Sequence, residues 1–192
     1  MLGPKLTPLA LMVLELLTER ELHPYEMRQL LLERRRDRHV KITPGSLYRT
    51  VERLAEDGLI EVVETSRAGR RPERTVYMVT EAGSDGYAEQ LREMLAIPAD
   101  EYPQFPAVLA CVHYLSKEDA LTGLNQRRMQ LEAGVAAYDA VIERLGKGEA
   151  PPVFWIDVQY RQAMQLAELR WVEQTIDDLT WDRLDWPAGE ER

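Results

Sequence analysis

The stretch "TPGSLYRTVERLAEDGLIEV", Thr43 to Val62, decides how this sequence is read. Thr43 has the hydroxyl of an N-cap, and Pro44 follows at the first helical position, where its missing N–H costs nothing. Leu47, Val51 and Leu54, in steps of four and three, make one apolar stripe. Gly58 is placed to end the helix, and β-branched residues follow it. On the side away from the stripe stand Ser46, Arg49, Thr50 and Arg53. A short helix with two guanidiniums and two hydroxyls on one face, backed by a strand, requires an explanation.

Working outward, the spacing of Leu9, Met12, Val13, Leu16 and Leu17 predicts a first helix from about Leu6 to Thr18. "ERELHPYEM" breaks it, His23 reads as a helix-start residue, and Pro24 begins a second helix with Met27, Leu30 and Leu31 inward. Behind Gly58 come two β-rich runs, "LIEVVET" and "TVYMVT", joined by "SRAGRRPER". Gly69 and Pro72 make the joint a turn, hence a hairpin with an arginine-rich tip. Thr80 caps a fourth, linking helix that runs to about Leu95. Three helices and a hairpin are the layout of a winged helix-turn-helix. So short a hairpin cannot stand alone in water and must lie against the helices.

"IPADEYPQFP", residues 97–106, holds three prolines and is the best boundary, giving domains of 1–96 and 97–192. Beyond it the chain turns helical and acidic. Ser116 with Asp119 opens a helix in which Leu121, Leu124, Arg128, Leu131, Val135, Tyr138, Ile142 and Leu145 follow a heptad seam. "GKGEAPP" ends that helix. A last one runs from about Val153 to Trp181, with one apolar row at Ile156, Tyr160, Ala163 and Ala167 and another at Leu169, Val172, Ile176 and Leu179. Two helices make a thin module, so the neighbour for the extra row is expected to be a second subunit. The fold class is mainly α.

The net charge of −9 alone argues against a nucleic-acid partner, but it is unevenly distributed. Residues 1–80 carry 14 basic and 12 acidic residues, whereas residues 81–192 carry 10 and 21. Arginines cluster at "RRRDRHVK" (34–41) and "RAGRRPER" (67–74), and a local basic surface attracts phosphate whatever the whole-chain pI. The single Cys111 cannot form an intrachain disulfide, and "LTPLALMVLELL" is too short to span a bilayer, so the cytoplasm is the expected compartment, with no membrane partner. Cys111 and His113 are too few for a metal site, and a buried cysteine beside an ordinary histidine is the favoured reading. No GxSxG, P-loop, HExxH or dinucleotide motif occurs, and no carboxylate spacing marks a catalytic pair. Neither an enzyme nor a cofactor is expected.

In a helix-turn-helix the outer side of the third helix enters the major groove. Arg49 and Arg53 can each give two hydrogen bonds to a guanine or hold phosphates, Ser46 and Thr50 can bond either, and Tyr48 can reach the backbone. Thr43 at the cap belongs to the same surface. Arg70, Arg71 and Arg74 of the hairpin tip can follow phosphates or enter a minor groove. The alternatives are that the helix face only keeps the protein in solution and that the tip touches nothing. Hairpin and charge split favour DNA. "RRRDRHVK" either anchors the other side of the site or is a solvated helix end.

Three blocks, "LALMVLELLTERELHPYEM" (9–27), "GSLYRTVERLAEDGLIEV" (45–62) and "GRRPERTVYMVTEAG" (69–83), resemble the PadR-like family of transcriptional regulators. The resemblance implies a winged-helix homodimer on a palindromic operator in double-stranded DNA, usually a repressor. It places Gly45, Ser46, Leu47 and Tyr48 on the recognition helix. Against the family pattern Pro24 replaces a usual glycine, Arg49 replaces a usual proline, and the wing has one extra arginine. The change at Arg49 bears on which operator is read, not on the class. The helical half is similar to the longer-tailed branch, whose tail helices dimerise. The family's aromatic inducers imply a small-molecule effector, so Phe154, Trp155, Tyr160, Trp171, Trp181 and Trp186 either line its pocket or serve as core and dimer contacts; the second is favoured. The rival to a DNA-binding regulator is a winged-helix adaptor that binds proteins through its acidic half.

Overall fold

The computed structural model describes residues 5–66 and 74–187 and divides the chain into two units, Met1–Asp100 and Glu101–Arg192. In the first unit, α1 (Pro8–Glu19) begins at Thr7, whose hydroxyl accepts a hydrogen bond from the Ala10 N–H at 3.2 Å. Its Leu9, Val13, Leu14, Leu16 and Leu17 are buried. α2 (Pro24–Glu33) is capped by His23, whose Nδ1 accepts from the Tyr25 N–H at 3.1 Å. Between the helices Leu22 exchanges two backbone hydrogen bonds of 3.0 Å with Tyr77. That lone bridge pins the hairpin to the helices, and a single residue carries no period by which a sequence could reveal it.

α3 (Pro44–Glu56) buries Leu47, Val51 and Leu54 against α1 and α2. Its end is set by Gly58, at φ 70, where a side chain would be strained. The Leu59 N–H donates to the Leu54 carbonyl at 2.9 Å and the Gly58 N–H to Ala55 at 3.0 Å, a Schellman closure that returns Leu59 and Ile60 to the core. β1 (Ile60–Ser66) pairs antiparallel with β2 (Arg74–Val79), Ile60 opposite Val79, with a bulge between Val62 and Glu64. The expected wing tip, with Arg70 and Arg71, lies outside the described residues. α4 (Glu81–Ala96) is capped by Thr80, whose hydroxyl donates to the Gly58 carbonyl at 2.8 Å and accepts from the Gly83 N–H at 3.0 Å. A Cβ on Gly83 would sit 1.9 Å from the Leu59 carbonyl oxygen, so only glycine lets α4 start this close to the turn.

In the second unit α5 (Gln104–Ala110) starts inside the proline-rich segment read as a boundary. The division between the units falls after Asp100, ahead of this helix. α6 (Lys117–Gly146) is capped by Ser116, and a short 3₁₀ turn, Pro152–Trp155, leads into α7 (Ile156–Thr180). The two long helices run antiparallel: Lys117 meets Asp182, Arg127 meets Glu168, and Gln162 donates to Asp139 at 2.5 Å. Leu124 and Leu131 pack on Val172 and Leu179. Farther along the seam Val135, Tyr138, Ile142 and Leu145 are only half-buried. The other α7 row, Ile156, Tyr160, Ala163 and Ala167, is exposed.

One reading needs correction: Cys111 is exposed, because it closes α5 at the surface instead of entering a core. Of the aromatic residues expected as core and dimer contacts, Trp155 is buried and Trp186 half-buried within the chain, whereas Phe154 and Trp181 are 72% and 70% exposed. Among the described residues no helix is long and apolar enough to cross a membrane, and no cluster of metal-binding side chains occurs.

Candidate nucleic-acid interface

The outer face of α3 follows from its inner one. With Leu47, Val51 and Leu54 turned into the core, Tyr48, Arg49 and Arg53 are exposed and Ser46 and Thr50 half-buried at the edge. Thr43 and Ser46 form a reciprocal cap. The Ser46 N–H donates to the Thr43 hydroxyl at 3.1 Å, and the Thr43 N–H donates to the Ser46 hydroxyl at 3.0 Å. Ser46 also accepts from the Thr43 hydroxyl and donates to the Thr43 carbonyl, each at 3.0 Å. A hydroxyl has one donor and two acceptor positions, so Ser46 is fully used in holding the helix start. Thr50 donates to the Ser46 carbonyl at 2.8 Å and keeps only acceptor positions outward. The two hydroxyls singled out beside the arginines are thus committed to the helix; the donors left for a ligand are guanidinium groups and the Tyr48 hydroxyl.

Arg49 folds back along the helix, its Nε donating to the Gly45 carbonyl at 3.1 Å. This bond uses Nε alone, so the two terminal nitrogens remain as a pair of donors of the kind that suits a carboxylate, phosphate or guanine edge. Arg53 is held loosely, 3.8 Å from the Asp57 carboxylate, one helical turn on. Between this face and the start of α1 lies a cleft of about 230 Å³, lined by Lys5, Thr7, Arg49, Arg53 and Asp57 among others. Three cations against one carboxylate make it a positive recess. Lys5 belongs to this group and was missed from the sequence: it precedes α1, and no local pattern connects it to a helix begun at Pro44.

Arg74 opens β2, its backbone opposite Ser66. The arginines of "RRRDRHVK" do not all face outward. Arg34 makes a two-pronged bond to Glu19 at 2.5 and 2.6 Å, and Arg36 pairs with Glu15 at 2.6 Å, so the C-cap of α2 and the 3₁₀ turn after it are both tied to α1.

The second unit has a concavity of its own, about 810 Å³, walled by Phe105, Val108, Leu109, Leu124 and Trp171. Phe105 and Trp171 meet edge to face, ring centres 6.0 Å apart. The Arg127 guanidinium lies 3.4 Å from the Phe105 ring centre, and its Nε donates to Glu168 at 2.5 Å. Of the aromatic residues marked in the last segment Trp171 alone is among those lining this cleft; Phe105 falls within the proline-rich boundary segment 97–106.

Residues 13–89 match the model of the Transcriptional regulator PadR-like family. No curated protein matches the chain. Among solved structures it is similar to Bacillus subtilis PadR in complex with operator DNA, with a TM-score of 0.71 at 18% identity, over 90% of this chain and 99% of that one. Bacillus subtilis PadR in complex with p-coumaric acid gives 0.69 at 16% identity, over 90% and 96%. The regulator BC1756 from Bacillus cereus gives 0.61 at 17% identity, over 91% and 99%. At these identities the likeness concerns the fold, and it extends through the helical second half.

Proposed function

We propose that this chain, whose residues 13–89 match the model of the PadR-like family of transcriptional regulators, is a member of that family that binds a palindromic operator as a homodimer and represses transcription until a small aromatic effector releases it. The observation that carries the reading is the outer face of α3, where Arg49, Arg53 and Tyr48 stand exposed beside Lys5. Each subunit would place α3 in a major groove, the two half-sites about one helical turn apart. Arg49 and Arg53 would read bases or hold phosphates, while Thr43, Ser46 and Thr50 fix the helix at the groove. Arg70, Arg71 and Arg74 would follow the flanking phosphates. Dimerisation through the helical half is supported by the exposed row Ile156, Tyr160, Ala163 and Ala167, which α6 leaves uncovered. The Bacillus subtilis protein bound to operator DNA, and bound to p-coumaric acid, supports both the DNA partner and the effector.

The test is to sequence the genomic fragments retained by the purified protein and titrate the enriched site. Arg49→Ala or Arg53→Ala is expected to weaken binding by about 1–3 kcal/mol, with relaxed preference at the base each reads. Loss of Arg70 or Arg71 should weaken all sequences alike and flatten the salt dependence. A protein that retains no discrete fragment would be the adaptor; unchanged titrations for all four variants would remove the assigned interface.

A further inference from the structure

We infer that the cleft of the second unit is a binding site for an uncharged planar aromatic molecule, and that Glu168 excludes aromatic acids from it by occupying Arg127. The inference rests on the reading above that the protein answers to an effector; it adds where the effector sits and what charge it carries.

The cleft, at about 810 Å³, falls in the size range of small-molecule sites. Phe105 and Trp171, packed edge to face at 83° to each other, form apolar walls with Val108, Leu109 and Leu124 that suit an aromatic molecule. Three charged side chains line it: Asp119, Arg127 and Glu168.

A lone arginine in such walls would select a carboxylate. Here the arginine is already paired on two sides. Its guanidinium covers the Phe105 ring at 3.4 Å, and Glu168 accepts its Nε hydrogen bond at 2.5 Å. Asp119 accepts from the Ser116 hydroxyl at 2.8 Å and stands in the first turn of α6, where the helix end compensates its charge. Every charge in the cleft therefore has a partner before any ligand arrives. An incoming carboxylate must displace Glu168, whose side chain is only 33% exposed, or lie beside it. Glu101–Arg192 adds a background of 16 acidic against 9 basic residues, which further opposes an anion. A neutral aromatic displaces no ion pair.

The experiment is calorimetric titration of the full-length protein at pH 7.5 with p-coumaric acid and with its methyl ester, the same ring with and without the charge. The ester is expected to bind at least about tenfold more tightly than the acid. Glu168→Gln leaves Arg127 without a competing anion, so the acid should gain about tenfold while the ester changes less than about twofold. Arg127→Met, a second variant in case the first fails to fold, should leave the acid excluded and the ester bound. Equal affinity of acid and ester for the parent protein would overturn the inference, as would an unchanged ratio in Glu168→Gln. So would failure of both probes to bind, the result expected if a second copy of the chain fills the cleft. Operator binding without ligand, measured on the same samples, separates the outcomes: parent protein that retains its operator yet binds neither probe refutes the cleft and leaves the DNA reading intact.

Discussion

Among the described residues of the first unit, fifteen apolar residues from α1, α2, α3, the start of β1 and the segments flanking them are buried together, whereas the cluster between α6 and α7 gathers four, in units of similar length. The first unit wraps a helical stripe from three directions, so each buried leucine meets neighbours on all sides. In the second, two antiparallel helices can cover only one stripe each. Tyr160, Ile156 and Phe154 are therefore left 59–72% exposed. Surface of this kind on a long helix marks an interaction face, not a finished core. The contrast separates the cores: the helices and hairpin of one unit close around theirs, whereas the helix pair of the other leaves a row of apolar side chains uncovered.

The largest effect that can break this contrast is Leu47→Ala. Leu47 is fully buried at the centre of the first unit's core, and its truncation should cost about 2–5 kcal/mol in urea unfolding followed by circular dichroism. A loss below about 1 kcal/mol would mean that α3 is not wedged between α1 and α2 as described. Next in size is Tyr160→Glu, which puts a charge into the uncovered row of α7. For the proposed homodimer it should shift the dimer–monomer midpoint in sedimentation at least about a hundredfold, close to 3 kcal/mol, while leaving helix content unchanged. An unmoved midpoint would place the subunit contact on another face and leave the open row without a purpose.

The same contrast explains what could be read from residues alone. α3 was legible because its signals agree: a hydroxyl cap, a proline, a single stripe and a terminating glycine all point to one helix with one outer face. Its arginines could be placed on that face from helical angle alone. What their neighbours do could not. That Ser46 is consumed by Thr43, or that Lys5 closes the recess beside Arg49, depends on where the chain folds back. In the second unit the heptad spacing found the helices and the two rows of α7 but not which row meets α6. Phe105 was hidden because the three prolines around it read as a domain boundary, although a proline just before or within the first turn of a helix such as α5 is tolerated.

The smallest effect sharpens the comparison at the charged edge of the first unit. Arg34, donating two hydrogen bonds to Glu19 across from α2 to α1, holds that carboxyl below its ordinary value of 4.5. A carboxyl whose pKa is lower folded than unfolded stabilises the protein above the unfolded value, and the contribution fades as pH falls through the folded one. Both partners are more than a third exposed, so solvent screens the pair, and Glu19→Gln should cost less than about 1 kcal/mol at pH 7. The gap between parent and variant in urea unfolding should then narrow toward zero as the pH is lowered below 4.5. A gap that widened in acid would have the wrong sign for a carboxylate stabilised by Arg34. It would assign the link between α1 and α2 to apolar packing alone, making the first unit's closure still less dependent on charge.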